Sequence, residues 1–311
     1  MSWIQSLVLG LLQGVTELFP ISSLGHTVVI TALLGWSGLE QSPSFVPFIV
    51  LFHIGTAAAL IAYFWDDWVA IVRGLVVTAV AGRLEAEPNG RVAWLLVAGT
   101  VPAGLVGFFL EKPLKALFAN PLVAAAFLVV NGGILLVGEA TRRRVLGTGS
   151  AASGAQASQT GVEDADGPVR TMLRPSGAAE GLRPFETLAW REAFLVGLAQ
   201  ALALIPGISR SGVTMVAALR VGMSHEDAAA YTFLLATPII GAAGLLEIPQ
   251  LFGSPPDMLL AAIAGGLLAG LAAYLSTRFL MRYFERGRLD PFGYYCIVAG
   301  LAVLGLLAVL R

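Results

Sequence analysis

Six apolar segments of 18–24 residues, at about 45–65, 92–110, 121–138, 228–250, 257–280 and 291–310, restrict the folds open to this chain. Each is long enough to cross a hydrocarbon core of about 30 Å. A water-soluble body of 311 residues needs a polar skin, and only 19 basic and 20 acidic side chains are present to make it. Charged residues are 13% of the chain, about half the share usual in soluble domains. A soluble enzyme, a nucleic-acid binder and a disordered chain are excluded on those grounds. Cys296 is the one cysteine, so neither a disulfide framework nor a thiolate cluster is available. The N-terminus lacks the basic start of a cleaved signal, and the apolar stretch after it runs past thirty residues; it is expected to be retained. The expectation is an all-α polytopic membrane protein.

Two stretches behave differently. Residues 3–18 and 193–205 are helical in character but short, each stops at a proline followed by serines, and the apolar stretches 27–36 and 212–222 beyond them are short too. Half-length helices joined by a polar turn predict a re-entrant hairpin, whose irregular backbone survives in a membrane only if protein or a watery cavity satisfies it. The turns Pro20–Gly25 and Pro206–Gly212 are therefore expected to meet near the middle of the membrane. The hairpins open alike, Gly10-Leu-Leu-Gln13 and Gly197-Leu-Ala-Gln200, and three long apolar segments follow each.

The expected organisation is two inverted repeats, each a re-entrant helix hairpin plus three transmembrane helices. The first, 1–138, holds hairpin 3–36 and spans at about 45–65, 92–110 and 121–138. A flexible polar cytoplasmic loop covers 139–190. The second repeat, 191–311, holds hairpin 193–222 and the remaining spans. This topology puts 14 of the 19 Lys and Arg on one side, in 66–91, 139–191 and 278–290. The positive-inside rule makes that side cytoplasmic and places both termini outside.

Glu17 is the lone formal charge in residues 1–39, and Arg210 and Arg220 are the only ones from Ala193 to His225. An ionisable group in such a stretch is expensive, and is ordinarily paired and functional. Gln13 and Glu17, four apart, share a helix face, and His26 lies three residues beyond Ser23. In Pro206-Gly-Ile-Ser209-Arg210-Ser211-Gly-Val-Thr214, a glycine-flanked turn enters a helix N-terminus. Backbone N–H groups, hydroxyls and a guanidinium fork there suit an anion, phosphate above all. Opposite, Ser23 and His26 offer a nucleophile or an acid/base pair, with Glu17 to orient or ionise the histidine. Phosphoryl transfer needs positioning and charge neutralisation, and these residue types supply both.

Gln13-x-x-x-Glu17, the following Phe-Pro-Ile-Ser-Ser-Leu-Gly-His26 and Pro206-Gly-Ile-Ser-Arg-Ser-Gly-Val-Thr214 resemble the two signatures of the bacterial undecaprenyl-pyrophosphate phosphatases, also called bacitracin-resistance proteins. The likeness extends through Ala-Gly-Thr-Val-Pro102 and Phe292-Gly-Tyr-Tyr295 in the two halves. The resemblance implies an integral-membrane hydrolase. It would remove the terminal phosphate of undecaprenyl pyrophosphate, recycle the lipid carrier of peptidoglycan synthesis and confer bacitracin resistance. It implies a bacterial inner-membrane location, an active site open to the outer, periplasmic face, and assistance by a divalent cation, Mg²⁺ or Ca²⁺. Carried over, Glu17, Ser23, His26 and Arg210 would be catalytic, and Gln13, Ser22, Gly207, Ser209, Ser211 and Thr214 would bind the pyrophosphate. The resemblance does not decide whether Ser23 or His26 attacks phosphorus; Ser23 is preferred. Partners would be the polyprenyl pyrophosphate and membrane lipid, with no nucleic acid, and a homodimer is an open assembly.

Three departures stand out. Gln13 occupies a place where many relatives have Glu, the polar loop is longer than usual, and Cys296 stands where an Arg is expected. One carboxylate, Glu17, cannot build an all-protein metal cage, so a cation would be held largely by the substrate's phosphates. A transporter or flippase of a phosphorylated lipid is the rival reading, since inverted repeats with broken helices suit alternating access. It would need the anion clamp but no nucleophile and base. A type 2 phosphatidic-acid phosphatase is disfavoured by Val216 where its histidine would fall, and an intramembrane serine protease leaves Arg210 unexplained. His53, inside a spanning segment, is open to two readings, contact with the site or a hydrogen-bonded helix contact, and is left out of the candidate set. Ser224-His225-Glu-Asp227 reads as a helix N-cap with acids in the first turn. The glycines of 264–270 and 132–133 are expected to let helices approach, and Arg142–Arg144 with the Arg278–Arg288 cluster to set topology and touch headgroups.

Overall fold

A computed structural model describes residues 1–36, 39, 45–117, 120–150, 182–247, 249 and 255–309. Among these residues the chain is helical throughout, with eleven α-helices and no strand. The first half contains α1 (Trp3–Thr16), α2 (Ser23–Leu33), α3 (Phe45–Tyr63), α4 (Trp65–Ala81), α5 (Gly90–Leu117) and α6 (Pro121–Ser150). The second contains α7 (Trp190–Ala201), α8 (Arg210–Arg220), α9 (His225–Glu247), α10 (Pro256–Phe284) and α11 (Asp290–Val309). Helices α5, α6, α9, α10 and α11 are long and apolar enough to cross a membrane, and the bent pair Pro47–Tyr63 and Trp65–Ala81 qualifies jointly. This is an all-α polytopic membrane protein.

Helices α1, α2, α7 and α8 have 14, 11, 12 and 11 residues. At 1.5 Å per residue the longest reaches about 21 Å, short of a hydrocarbon core. Each pair forms a hairpin: α1 packs on α2, and α7 on α8. The halves interlock. Helix α1 lies on α10 and its counterpart α7 lies on α5, while α6 packs on α11 and α3 on α9. Exchanging the halves maps these contacts onto each other.

Glycines permit that close approach. A Cβ on Gly10 would stand 2.3 Å from the Gly265 carbonyl oxygen, and one on Gly197 would stand 2.0 Å from that of Gly99. Packing of this kind holds helices together where water provides no drive. Gly265, Gly270 and Gly132 face such contacts as expected, but Gly133 faces open space.

Two expectations need correction. Residues 66–91 are not simply a loop: α4 leaves α3 at 90°. Its Asp67, Ile71, Gly74 and Thr78 are buried in a helical rhythm, while Val69, Val72, Val76 and Val80 are exposed. The polar loop does not begin at Glu139, because α6 runs on through it. Glu139 is fully buried and accepts hydrogen bonds from His225 Nε2 at 2.7 Å and the Leu289 N–H at 3.3 Å. Arg142 Nη1 donates to His225 Nδ1 at 3.0 Å. His225 thus joins α6 to α9 as well as standing beside Ser224, whose hydroxyl accepts from the Asp227 N–H. The expected flexible stretch at 151–181 lies outside the described residues. Where description resumes, Arg183 forks onto both Glu192 oxygens at 2.9 and 3.1 Å and ties the linker to the first turn of α7. That contact holds the Glu192 carboxyl below its ordinary value.

Gly197→Val should lower the unfolding free energy by roughly 1–3 kcal/mol, read as a lower thermal midpoint in detergent. Gly133→Ala should leave the midpoint unchanged. Equal midpoints for wild type and Gly197→Val would contradict the α5–α7 contact.

Candidate active site

The turn after α1 and the turn before α8 are brought together by groups the membrane interior forces into partnership. Glu17, one residue past α1, is 7% exposed. Its Oε1 accepts from the Arg210 guanidinium, and Arg210 Nη1 also donates to the Ala236 carbonyl of α9 at 3.2 Å. Its Oε2 accepts from Ser23 Oγ at 2.5 Å and Gln13 Nε2 at 2.7 Å, and lies 3.3 Å from His53 Nε2. One carboxylate therefore collects side chains from α1, α2, α3 and α8. Removing one member of a buried ion pair costs about 3–5 kcal/mol.

The backbone of the turns is fastened as well. Asn131 of α6, fully buried, donates from Nδ2 to the Pro20 carbonyl at 3.0 Å, and its Oδ1 accepts from the Ser209 N–H at 3.0 Å. A single amide clasps both turns. Ser211 Oγ donates to the Phe19 carbonyl at 3.1 Å. A Cβ on Gly25 would lie 2.9 Å from the Gly207 Cα. The two turns meet, as their composition requires.

Both second helices start the same way. Ser22 Oγ accepts from the Gly25 N–H and Ser209 Oγ from the Gly212 N–H, each at 3.2 Å, which caps α2 and α8. Ser22 adopts φ 70°, ψ 96°, a conformation that costs a non-glycine residue of order 1–3 kcal/mol. Gly207 has φ +100°, and a Cβ there would stand 2.3 Å from the Ala124 carbonyl oxygen. It is where the second turn passes α6.

A cavity of about 300 Å³ opens beside these groups. Glu17, Ser22, Ser23, His53, Gln200, Ser209 and Arg210 line it, and the rest of its lining is largely apolar, including Phe45, Ile49, Leu204 and Ile239. Of the residues expected from sequence, Glu17, Ser22, Ser23, Ser209 and Arg210 line it. Gln13 lies behind Glu17, Ser211 ties the turns, and Thr214 Oγ1 is buried with no partner among the described residues. His26 stands apart from Glu17. Its Nδ1 faces the Ser22 carbonyl at 2.7 Å and its Nε2 the Tyr295 hydroxyl at 2.9 Å, with the rings stacked. The expected Glu17-to-His26 contact is replaced by Glu17-to-Ser23. His53, set aside on sequence, touches Glu17, and Asn131, Gln200 and Tyr295 were missed. Asn131 had a signal, as an amide within the apolar stretch 121–138.

The donor set does not make a resident cation site. Among the described residues no three His, Cys, Asp or Glu side chains cluster, and both Glu17 oxygens already face donors.

Asn131→Leu should leave the Ser209 N–H buried and unpaired, at about 1–3 kcal/mol, and the Pro20 carbonyl with only the weak Cys296 thiol donor at 3.9 Å. The thermal midpoint should fall, and Asn131→Asp, which keeps an acceptor for Ser209, should recover part of the loss. An unchanged midpoint in Asn131→Leu would contradict the clasp.

Residues 6–302 match the family described as "Bacitracin resistance protein BacA". The chain is 46% identical to "Undecaprenyl-diphosphatase 2" of Frankia alni, over 96% of each sequence. It is 45% identical to "Undecaprenyl-diphosphatase 1" of Burkholderia pseudomallei, over 96% of this chain and 94% of the relative. Identity to "Undecaprenyl-diphosphatase" of Mycolicibacterium paratuberculosis is also 45%, over 99% and 98%.

Proposed function

For this chain, which belongs to the family of the bacitracin resistance protein BacA, we propose an integral-membrane phosphatase that hydrolyses undecaprenyl pyrophosphate to undecaprenyl phosphate and inorganic phosphate. Near-full-length likeness to undecaprenyl-diphosphatases supports the substrate. The observation that carries the chemistry is the Ser23 hydroxyl bonded to Glu17 in a cavity whose lining is otherwise largely apolar. A polyprenyl pyrophosphate has that same division, a charged head on an apolar tail. In the cell the reaction would recycle the lipid carrier of peptidoglycan synthesis and confer bacitracin resistance. We place the protein in the inner membrane with the cavity open to the periplasmic face, as the family resemblance implies, and with its repeats inverted, an arrangement that the distribution of Lys and Arg favours.

In the reaction, the pyrophosphate draws the Arg210 fork, which is matched to phosphate oxygens. Ser23 Oγ attacks the terminal phosphorus while Glu17 takes its proton. The anhydride P–O bond breaks and undecaprenyl phosphate leaves. Water then hydrolyses the phosphoseryl ester, inorganic phosphate departs and Ser23 regains a proton. Arg210 and the α8 N-terminus hold the charge that gathers on the transferred group. His53 and Gln13 keep the Glu17 carboxylate in place. His26, with its ring nitrogens facing the Ser22 carbonyl and the Tyr295 hydroxyl, braces the strained Ser22 turn and so sets the aim of Ser23.

Mg²⁺ or Ca²⁺ would arrive on the pyrophosphate and offset its charge. Titration calorimetry of Mg²⁺ into lipid-free protein should show no saturable binding below about millimolar concentration, as a site with one carboxylate provides. Tight stoichiometric binding would contradict this.

Phosphate release by detergent-purified protein with Mg²⁺ should fall about 10³-fold or more in Ser23→Ala with folding retained, and roughly 10³-fold in the folded fraction of Arg210→Ala, whose thermal midpoint should also fall because Glu17 loses its partner. A carrier would bind and move the lipid without release. Release from wild type that survives Ser23→Ala would refute the serine route.

A further inference from the structure

The repeat that places Gln13 behind Glu17 also places Gln200 at the cavity, and there the resemblance between the halves stops. Gln13 opens Gln13-x-x-x-Glu17, and its Nε2 donates to Glu17 Oε2 at 2.7 Å. Gln200 holds the matching position in Gly197-Leu-Ala-Gln200, and four residues on stands Leu204 where the first half has its carboxylate. Leu204 lines the cavity wall. With no carboxylate to hold, the second glutamine is released from the duty of the first.

Gln200 is 2% exposed, and neither its Nε2 nor its Oε1 has a hydrogen-bond partner among the described residues. A primary amide buried without partners is costly and rare, and it marks a position that something else completes. An amide that glued two helices would show its partner across the interface. Gln200 instead lines the cavity, as do Ser23, Ser209 and Arg210.

We propose that Gln200 is a substrate-binding residue whose amide N–H groups donate to non-bridging oxygens of the lipid pyrophosphate. The assignment rests on the phosphatase reading for the identity of the ligand. Arg210 supplies charge from the start of α8. Gln200 supplies two uncharged donors from the end of α7, and so fixes the orientation of the pyrophosphate without adding to the charge it must shed. The internal duplication has thus yielded one glutamine that secures the carboxylate and one that binds the substrate.

The test compares wild type with Gln200→Met, close in length and apolar, and with Gln200→Glu. Three quantities are read: the thermal midpoint without ligand, the rise in midpoint on adding undecaprenyl pyrophosphate, and KM and kcat for phosphate release. Gln200→Met should keep or raise the unliganded midpoint, because no hydrogen bond is lost. Its KM should rise roughly 10–150-fold, the range for one hydrogen bond to a charged group, with a smaller change in kcat and a reduced ligand-induced rise. Gln200→Glu removes the donors and adds a like charge, so its KM should rise at least as far. A lowered unliganded midpoint with unchanged KM would make Gln200 structural and overturn the inference. So would phosphate release by wild type with KM untouched in both variants. If wild type releases no phosphate but is stabilised by the lipid, and Gln200→Met loses that stabilisation, the phosphatase reading fails while Gln200 stands as a ligand. If the lipid stabilises neither protein and no phosphate is released, both are overturned.

Discussion

The ion pair between Glu17 and Arg210 is the contact on which the rest of the architecture turns. Neither charge is tolerable alone in an apolar interior, and each sits on a stretch of chain nearly free of other charge. The pair can form only if two turns separated by almost two hundred residues are held side by side. Half-length helices make this possible, since a helix that crossed the whole membrane would carry its end past the meeting point. The fold supplies further reinforcement: the Asn131 amide bridges the two turn backbones, and glycine at 25 and 207 lets them touch.

The same arrangement suits the proposed chemistry. The carboxylate is held by hydrogen bonds from Arg210, Ser23 and Gln13 and by contact with His53. It is preorganised toward one serine, which is where positional catalysis obtains its advantage. The walls around it are apolar. A charged head group placed there meets few competing dipoles, and an attached hydrocarbon chain finds compatible surface. Strain is kept at Ser22, beside the hydroxyl proposed to react.

Much of this was readable in the residues and some was not. Proline followed by serines twice over marked the broken helices, and Glu17 and Arg210 were conspicuous as isolated charges. The expectation that the turns meet followed from the cost of irregular backbone in lipid, and the contacts of Arg210 with Glu17, of Ser211 with Phe19 and of Asn131 with both Pro20 and Ser209 realise it. Helix α4 was hidden because Asp66, Asp67 and Arg73 lower its hydropathy, although the spacing of Asp67, Ile71, Gly74 and Thr78 is helical. Glu139 read as the start of a polar loop because its partner, His225, is 86 residues away. His26 was paired with Glu17 by proximity along the chain, whereas its hydroxyl partner, Tyr295, comes from the last helix. His53 had no local signal: a histidine in an apolar helix is equally at home against a carbonyl, and its Nδ1 does face that of Ile49. Long-range pairing is what one sequence leaves unwritten.

The most direct test of a single site built from both turns is an experimental structure with a methylene-bridged, non-hydrolysable analogue of the lipid pyrophosphate. The account predicts the terminal phosphonate between Ser23 Oγ and the Arg210 guanidinium, within hydrogen-bonding distance of both, and the hydrocarbon chain along the apolar walls of the cavity. Density for the two phosphonates on one turn alone, or away from both, with Glu17 and Arg210 still paired as in the free protein, would contradict it.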